Sequence, residues 1–256
     1  MKWIGRIGCA ALILVAAAAG YIAWNDQGVV TVRYDDSKLA SHRIIKMQLR
    51  SNHHFEVAAA GIDTAFLIPR DIQVVFADCG KANATYDPAQ AAVFVCYELL
   101  RLFAQDYRKY APTDSAADVA LWQTALFVFY HEMGHALIDI LGLPATGREE
   151  DAVDQLATIL LLEAGPDGRD AALRGAEWLQ LQSRRSTGRS RAWDEHSLDQ
   201  QRYFNVICWV YGSDPKAQAA LLGRDWGLPR ARAARCPPEY ARIHRAWTSL
   251  LRTHRY

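Results

Sequence analysis

Residues 129–137 read Phe-Tyr-His-Glu-Met-Gly-His-Ala-Leu and place the pattern His-Glu-x-x-His inside a long apolar stretch. Because four residues of α-helix turn through about 400°, His131 and His135 lie one turn apart on the same helical face. Two imidazoles at this spacing bind one zinc ion, and Glu132 projects beside them, where a carboxylate acts on a water rather than on the metal. The pattern therefore predicts a metal-binding helix, and it constrains the fold more than any other feature.

The helix that carries this pattern is predicted to run through the core. Residues 119–130 are apolar almost all around the helix. Two histidines and a carboxylate in such a helix are costly unless they are paired or bound to a metal. The helix is predicted to begin near Thr113, with Ser115 and Asp118 in capping-box spacing, and to end before Gly142.

A second acidic cluster follows, in which residues 149–154 read Glu-Glu-Asp-Ala-Val-Asp. Glu150 and Asp154 are four residues apart, so they share a face if this segment is helical. One of them can bind the metal as its third protein ligand while the other accepts a hydrogen bond from the far nitrogen of a ligand histidine. Glu149 is a second candidate for the third ligand. Acids in a first helical turn also suit the helix dipole without any metal.

This Glu-x-x-x-Asp spacing after His-Glu-x-x-His resembles the gluzincins, the thermolysin-like metallopeptidases that hold zinc with two histidines and one glutamate. The resemblance implies that His131, His135 and Glu150 bind Zn²⁺. It also implies that Glu132 is the general base and that Asp154 orients a ligand histidine from outside the coordination sphere.

Three shorter runs resemble a bacterial family of metallopeptidases whose substrates are undefined. The runs are Cys79-Gly80 with Ala82-Asn83-Ala84 and Tyr86, Cys96-Tyr97-Glu98-Leu99, and Asp194-Glu195-His196-Ser197-Leu198-Asp199. With the His-Glu-x-x-His pattern they span most of the chain after its N-terminal segment. This resemblance implies a reaction class and no particular substrate.

Two residues that follow the proposed third ligand are candidates for stabilising the oxyanion of a tetrahedral intermediate. His196 is the first, because thermolysin-like enzymes use a histidine well after the third ligand for this role. Tyr203 is the weaker candidate. Both also have structural interpretations, since residues 193–196 suit the start of a helix and Tyr203 suits an amphipathic core position.

The fold class predicted from the sequence is α+β, a small antiparallel sheet packed on a mainly helical, zincin-like catalytic domain. Strand-like segments lie at residues 29–34, 71–76, 83–88 and 91–96. In gluzincins the edge strand of such a sheet lines the cleft and pairs with an extended peptide. Residues 85–86 and residues 93–95 are both candidates for that edge.

Helical patterns account for most of the remaining chain. Besides the metal-binding helix, they lie at residues 51–66, 97–110, 149–163, 170–182, 198–211 and 239–253. Residues 183–191, rich in Arg, Ser and Gly, are predicted to be an exposed loop, because they lack the aromatic support of a nucleic-acid surface. His53 and His54 are predicted to be solvated rather than metal ligands.

The N-terminal segment is typical of export. Residues 1–24 carry Lys2 and Arg6 and then no charge from residue 7 to residue 24, which indicates a cleaved signal peptide or a single retained membrane anchor. We therefore divide the chain into residues 1–27, the export segment, and residues 28–256, the catalytic domain. The expected location is the bacterial periplasm or the outer face of the inner membrane.

Cysteine placement agrees with an oxidising compartment. Beyond Cys9, which we expect to be a buried apolar residue, the chain has four cysteines. Four cysteines allow three pairings, of which local order favours Cys79–Cys96 and Cys208–Cys236. A Cys/His metal site is the rival interpretation, but no Cys-x-x-Cys spacing supports it.

The functional hypothesis is a zinc-dependent metallopeptidase that acts on a peptide or protein substrate through a metal-activated water, with Glu132 as general base. The alternative is a non-catalytic, zinc-stabilised periplasmic binding or scaffold protein. A net charge of +1 over 256 residues argues against nucleic acid as the partner. The membrane is a partner only through residues 1–27, if these are retained.

Overall fold

The structure is a computed structural model that describes residues 27–185 and 198–256. Apart from Gln27, the predicted export segment, with Cys9, lies outside these residues. His196 and the Arg-rich residues 186–191 also lie outside them. In the described ranges, no helix is both long enough and apolar enough to cross a bilayer.

The first part of the described chain, residues 30–96, contributes the strands of a four-stranded mixed sheet. Its strands, in the order β1-β2-β4-β3, are β1 (Val30–Tyr34), β2 (Ile72–Ala77), β3 (Ala84–Asp87) and β4 (Ala92–Cys96). β1 and β4 both pair with β2 in parallel orientation, whereas β3 pairs with β4 in antiparallel orientation. The α+β class is therefore confirmed, but the prediction of an antiparallel sheet is wrong for two of the three strand pairings.

The parallel pairing of β1 and β2 follows from the long crossover that connects them. Between β1 and β2 the chain forms two helices rather than the single helix predicted at residues 51–66, because His53 adopts a left-handed conformation with φ of 53°. The first of these helices begins at Ala40. A connection of this length can return the chain to the same end of the sheet, as parallel strands require.

Helices make up most of the rest of the described chain. They are α1 (Ala40–Asn52), α2 (His54–Ala65), α3 (Tyr97–Tyr110), α4 (Asp114–Ile140), α5 (Glu149–Glu163), α6 (Pro166–Arg185), α7 (Asp199–Ser213), the short α8 (Arg230–Ala233) and α9 (Cys236–Leu251). Short 3₁₀ turns cover Ala219–Leu222 and Arg252–His254.

Helix α4 is the central element of the core. It packs against α3, α5 and α6, and its remaining side meets β3 and β4. Its N-cap is Thr113, whose hydroxyl accepts a hydrogen bond from the Ala116 amide at 3.1 Å, so the predicted capping box at Ser115 and Asp118 is not the device that starts it. Gly142 follows its end with φ of 61°, a conformation that favours glycine.

Two disulfides tie the fold at positions remote in sequence. Cys79, after β2, is bonded to Cys96 at the end of β4, and Cys208 in α7 is bonded to Cys236 at the start of α9. These are the two pairs that local order favours. Their presence indicates that the described chain folds in an oxidising, extracytoplasmic environment.

The packing of α6 on α4 requires a glycine. A Cβ built at Gly175 lies 2.2–2.7 Å from three atoms of Phe127, including its Cβ, so this contact leaves no room for a methyl group. By contrast, a Cβ built at Gly61 on α2 meets no atom within 4 Å.

We predict opposite effects of alanine at these two helical glycines. Gly175→Ala should lower the free energy of unfolding by about 1–3 kcal/mol because it forces α6 away from α4. Gly61→Ala should raise it by about 0.5–1 kcal/mol because alanine is the better helix former. Urea unfolding followed by circular dichroism measures both. Equal stability of the two variants would contradict the packing described for α4 and α6.

Candidate metal centre

The two histidines of the His-Glu-x-x-His pattern lie together on α4. Their ring centroids are 5.2 Å apart and their planes are inclined by 82°. His131 is buried and His135 is partly exposed. One helical turn imposes this spacing, and both nitrogens of each ring contact carboxylates of α5.

Helix α5 brings a carboxylate to these two nitrogens. Oxygen atoms of Glu150 lie 3.2 Å from Nε2 of His131 and 3.5 Å from Nε2 of His135. The three ligand atoms all lie within 4.8 Å of one another. His131, His135 and Glu150 are therefore brought to one point by two successive helices.

The close approach of α5 depends on Gly134, which lies between the two histidines. A Cβ built at Gly134 lies 3.0 Å from Cβ and 3.1 Å from Cγ1 of Val153 on α5. Since Val153 is one residue before Asp154 and three after Glu150, this contact sets the distance at which both acids meet the histidines.

Asp154 holds His131 from the side opposite Glu150. Its Oδ1 lies 2.9 Å from Nδ1 of His131, and the guanidinium of Arg202 donates to both its oxygens at 2.7 and 2.9 Å. Burial raises the pKa of Asp154, but Arg202 and His131 outweigh burial and hold that pKa well below its ordinary value. The carboxylate is therefore charged, and its Oδ1 accepts a hydrogen bond from Nδ1–H of His131.

Arg202 was not among the site residues predicted from the sequence. This arginine on α7 is only 9% exposed and forms a two-hydrogen-bond ion pair with Asp154. Burial lowers its pKa, but Asp154 raises it above the ordinary value overall. One signal was available: Arg202 shares a helical stripe with Val206 and Trp209, and a charge in a buried stripe indicates a buried partner.

Glu149 occupies the corresponding place beside the second histidine. Its Oε1 lies 2.7 Å from Nδ1 of His135, so this acid, an alternative ligand in the sequence analysis, faces the nitrogen that is turned away from Glu150. Burial lowers the pKa of His135, but hydrogen bonds with Glu150 and Glu149 raise it to about 9 overall. Each histidine thus has one carboxylate at Nδ1 and shares Glu150 at Nε2.

Glu132 is buried next to this group without belonging to it. In the described part of the chain, the converging ligand atoms come from His131, His135 and Glu150. Burial raises the pKa of Glu132 above its ordinary value, while the two histidines oppose that effect. The backbone amide of Tyr86 also favours the charged carboxylate, which places the edge strand β3 beside it.

A polar cluster fixes β3 against α4. The Tyr86 hydroxyl donates to Oδ2 of Asp139 at 2.7 Å, and Arg70 donates to the same oxygen at 3.0 Å. Asp139 lies one helical turn after His135. Burial and Asp139 together raise the pKa of Tyr86 to about 12, so its hydroxyl keeps the proton that it donates.

Of the two residues predicted to stabilise an oxyanion, Tyr203 lies in the described part of the chain and His196 does not. Tyr203 is buried, and its hydroxyl donates to the backbone carbonyl of Trp226. This is the structural role that an amphipathic core tyrosine is expected to have, and it leaves no proton for an oxyanion. His196 lies outside the described residues, so its role stays a prediction.

The donor set at His131, His135 and Glu150 fits a divalent metal of the zinc class. Two imidazole nitrogens and one carboxylate oxygen are the ligands of open catalytic zinc sites. Both imidazoles have their second nitrogen directed at a carboxylate, as metal-ligating histidines almost always do.

Two other groups of metal-ligand type lie near β2, and each has protein partners. His42 and Ser37 hydrogen-bond Asp78, and Glu98 accepts from the amides of Cys79 and Gly80. Cys79 and Cys96 are joined to each other. These contacts clamp the loop after β2 and do not require a metal.

Comparison with known proteins agrees with this geometry at the level of family. The model of one family, DUF4344, described as "Putative metallopeptidase", matches residues 34–251. The chain belongs to this family. Searches of curated proteins and of solved structures found no match. Family membership supports a metal-dependent peptidase class, with no further detail of metal or mechanism.

The contact between Glu149 and His135 predicts an effect on metal affinity. Glu149→Gln should weaken zinc binding about tenfold or more, because removing a carboxylate behind a ligand histidine typically costs 10–100-fold. Asp151→Asn is the matched control, since it removes an acid from the same first turn of α5. Competition with a zinc chelator of known affinity measures both. If the two variants bind zinc equally, Glu149 does not orient His135.

Proposed function

We propose that the chain is a zinc-dependent metallopeptidase of the gluzincin type. The observation that carries the proposal is the convergence of His131, His135 and Glu150 on one point, with Glu132 buried beside them and outside the donor set. A protein that used its metal only for structure would have no need of that carboxylate. Its four ligand positions would normally all come from the protein.

The chemistry that zinc supplies when bound here is Lewis-acid activation of a water and of the scissile carbonyl. The other steps belong to the chain. Glu132 takes the proton of the attacking water and delivers it to the nitrogen of the leaving amine. A carboxylate whose pKa is raised by burial is suited to accept and then return a proton.

Strand β3 is the surface that we propose for the peptide substrate. Residues 85–86 and residues 93–95 were both predicted as candidates. Because β4 lies between β2 and β3, residues 93–95 are interior to the sheet. The Asn83 carbonyl accepts from the Cys96 amide. By the alternation of an antiparallel ladder, Ala84 and Tyr86 direct their backbone groups away from β4. Because the Tyr86 amide faces Glu132, we propose that an extended peptide pairs with the backbone groups of Ala84.

The proposed location is the periplasm or the outer face of the inner membrane. The two disulfides support an oxidising compartment, and the basic and apolar composition of residues 1–24 supports export. Whether that segment is cleaved is decided by N-terminal sequencing of the protein recovered from cells.

Replacing the base should separate catalysis from metal binding. Glu132→Gln is expected to keep one zinc per chain while cleavage of a mixed peptide library falls at least 100-fold, the usual range for a general base. Zinc is measured by elemental analysis and cleavage by mass spectrometry. Wild-type activity in the variant would exclude Glu132 as the base. A zinc-loaded wild-type protein that cuts no peptide would favour the binding or scaffold alternative.

A proline on the edge strand should weaken substrate binding specifically. Ala84→Pro removes one outward amide without breaking the β3–β4 ladder, since edge strands tolerate proline at such positions. We expect kcat/KM to fall about three- to tenfold, the value of one hydrogen bond, with unchanged zinc content. Ala82→Pro, in the loop before β3, is the control. Equal kinetics for the two variants would argue against pairing at β3.

A further inference from the structure

Helix α1 presents an apolar stripe to the surface. Ala40, Ile44 and Met47 follow one another at helical spacing on its outer side, and Ile44 and Met47 are 53% and 63% exposed. The opposite side of the helix packs into the core through Ile45 and Leu49. Apolar side chains that adjoin on the solvent side of a helix mark a candidate contact surface for a partner or a membrane.

The charged residues that α1 itself contributes beside this stripe are all positive. Ala40–Asn52 contains Arg43, Lys46 and Arg50 and no Asp or Glu. On a helical wheel Arg43 and Arg50 lie about 60–80° from the stripe, on the same border. Lys46 is paired with Asp36 at 2.6 Å, and Asp36 also interacts with Arg50. Arg43 donates to the backbone carbonyls of Ser37 and Lys38, and both arginines remain exposed to solvent. The outer side of α1 therefore combines apolar side chains with a cationic border.

We propose that the outer side of α1 docks on an anionic lipid surface. Exposed apolar residues beside Arg and Lys are the composition of helices that lie in the plane of a membrane interface. A second copy of the chain is a poorer occupant, because a two-fold contact through this side sets the Arg43–Arg50 border against itself or leaves it unpaired. Charge complementarity favours lipid phosphates over an apolar protein groove.

The order of the chain supports the same occupant. The uncharged run of residues 7–24 ends shortly before the described fold, and α1 is the first helix of that fold. If the run is retained in the membrane, it holds α1 close to the bilayer, and a weak interfacial contact is then sufficient. The inference is independent of peptidase activity, since α1 contributes no residue to the metal centre.

A fluorescent probe on α1 tests the proposal in the full chain. Met47→Cys in a Cys9→Ser background is labelled with bimane, the other cysteines being joined in disulfides. The protein is reconstituted with vesicles of phosphatidylcholine alone or with 30% phosphatidylglycerol added. The same probe at Val119, which is 51% exposed on α4, is the control.

We expect the emission at residue 47 to shift to the blue, and to be quenched by spin-labelled lipid, in the anionic vesicles only. Arg50→Gln should lower the docked-to-undocked ratio about fivefold, the effect of one basic residue near an anionic surface. Ile44→Cys provides a second probe position in case labelling at residue 47 disturbs the helix.

Three outcomes would overturn the proposal. The first is an unchanged emission at both α1 positions in anionic vesicles. The second is an equal change in neutral and anionic vesicles, or at Val119. The third is a change that depends on protein concentration without lipid, which would identify a second copy of the chain as the occupant.

Discussion

The structure depends on the compensation of charged and polar side chains buried in a helical core. His131 and Glu132 are both nearly inaccessible in α4, a helix that is otherwise apolar at its centre. An uncompensated buried charge is strongly destabilising. Here α5 supplies carboxylates that hydrogen-bond the imidazoles, and α7 supplies Arg202, which pairs with one of these carboxylates. The positions of these three helices are therefore coupled to the chemistry of the site.

The contacts form a chain that leads from α7 to the proposed metal ligands, and each residue in it orients the next. Arg202 fixes Asp154, and Asp154 fixes the ring of His131 so that its other nitrogen faces Glu150. Gly134 allows α5 to approach closely enough for the last of these contacts. The backbone amide of Tyr86 on β3 meets Glu132, so α4 contacts both the acids of α5 and the proposed substrate strand.

The sequence predicted features that depend on local interactions better than features that depend on contacts between residues distant in the chain. Periodicity and capping predicted α3 at residues 97–110 and α5 at residues 149–163, with the ends that the structure shows, because these signals are local. The parallel sheet could not be predicted from turns alone, since it depends on the crossover through α1. Arg202 was missed because only tertiary packing brings α7 to Asp154. The left-handed His53 divides what periodicity presents as one helix.

The central claim is that two imidazoles and one carboxylate from α4 and α5 bind a single zinc ion. Anomalous diffraction at the zinc edge, from crystals of the protein grown with one equivalent of zinc, tests this most directly. The account predicts one strong peak within about 2.0–2.2 Å of Nε2 of His131, Nε2 of His135 and an oxygen of Glu150. A peak elsewhere in the molecule, or no peak with Glu150 still hydrogen-bonded between the two rings, would contradict it.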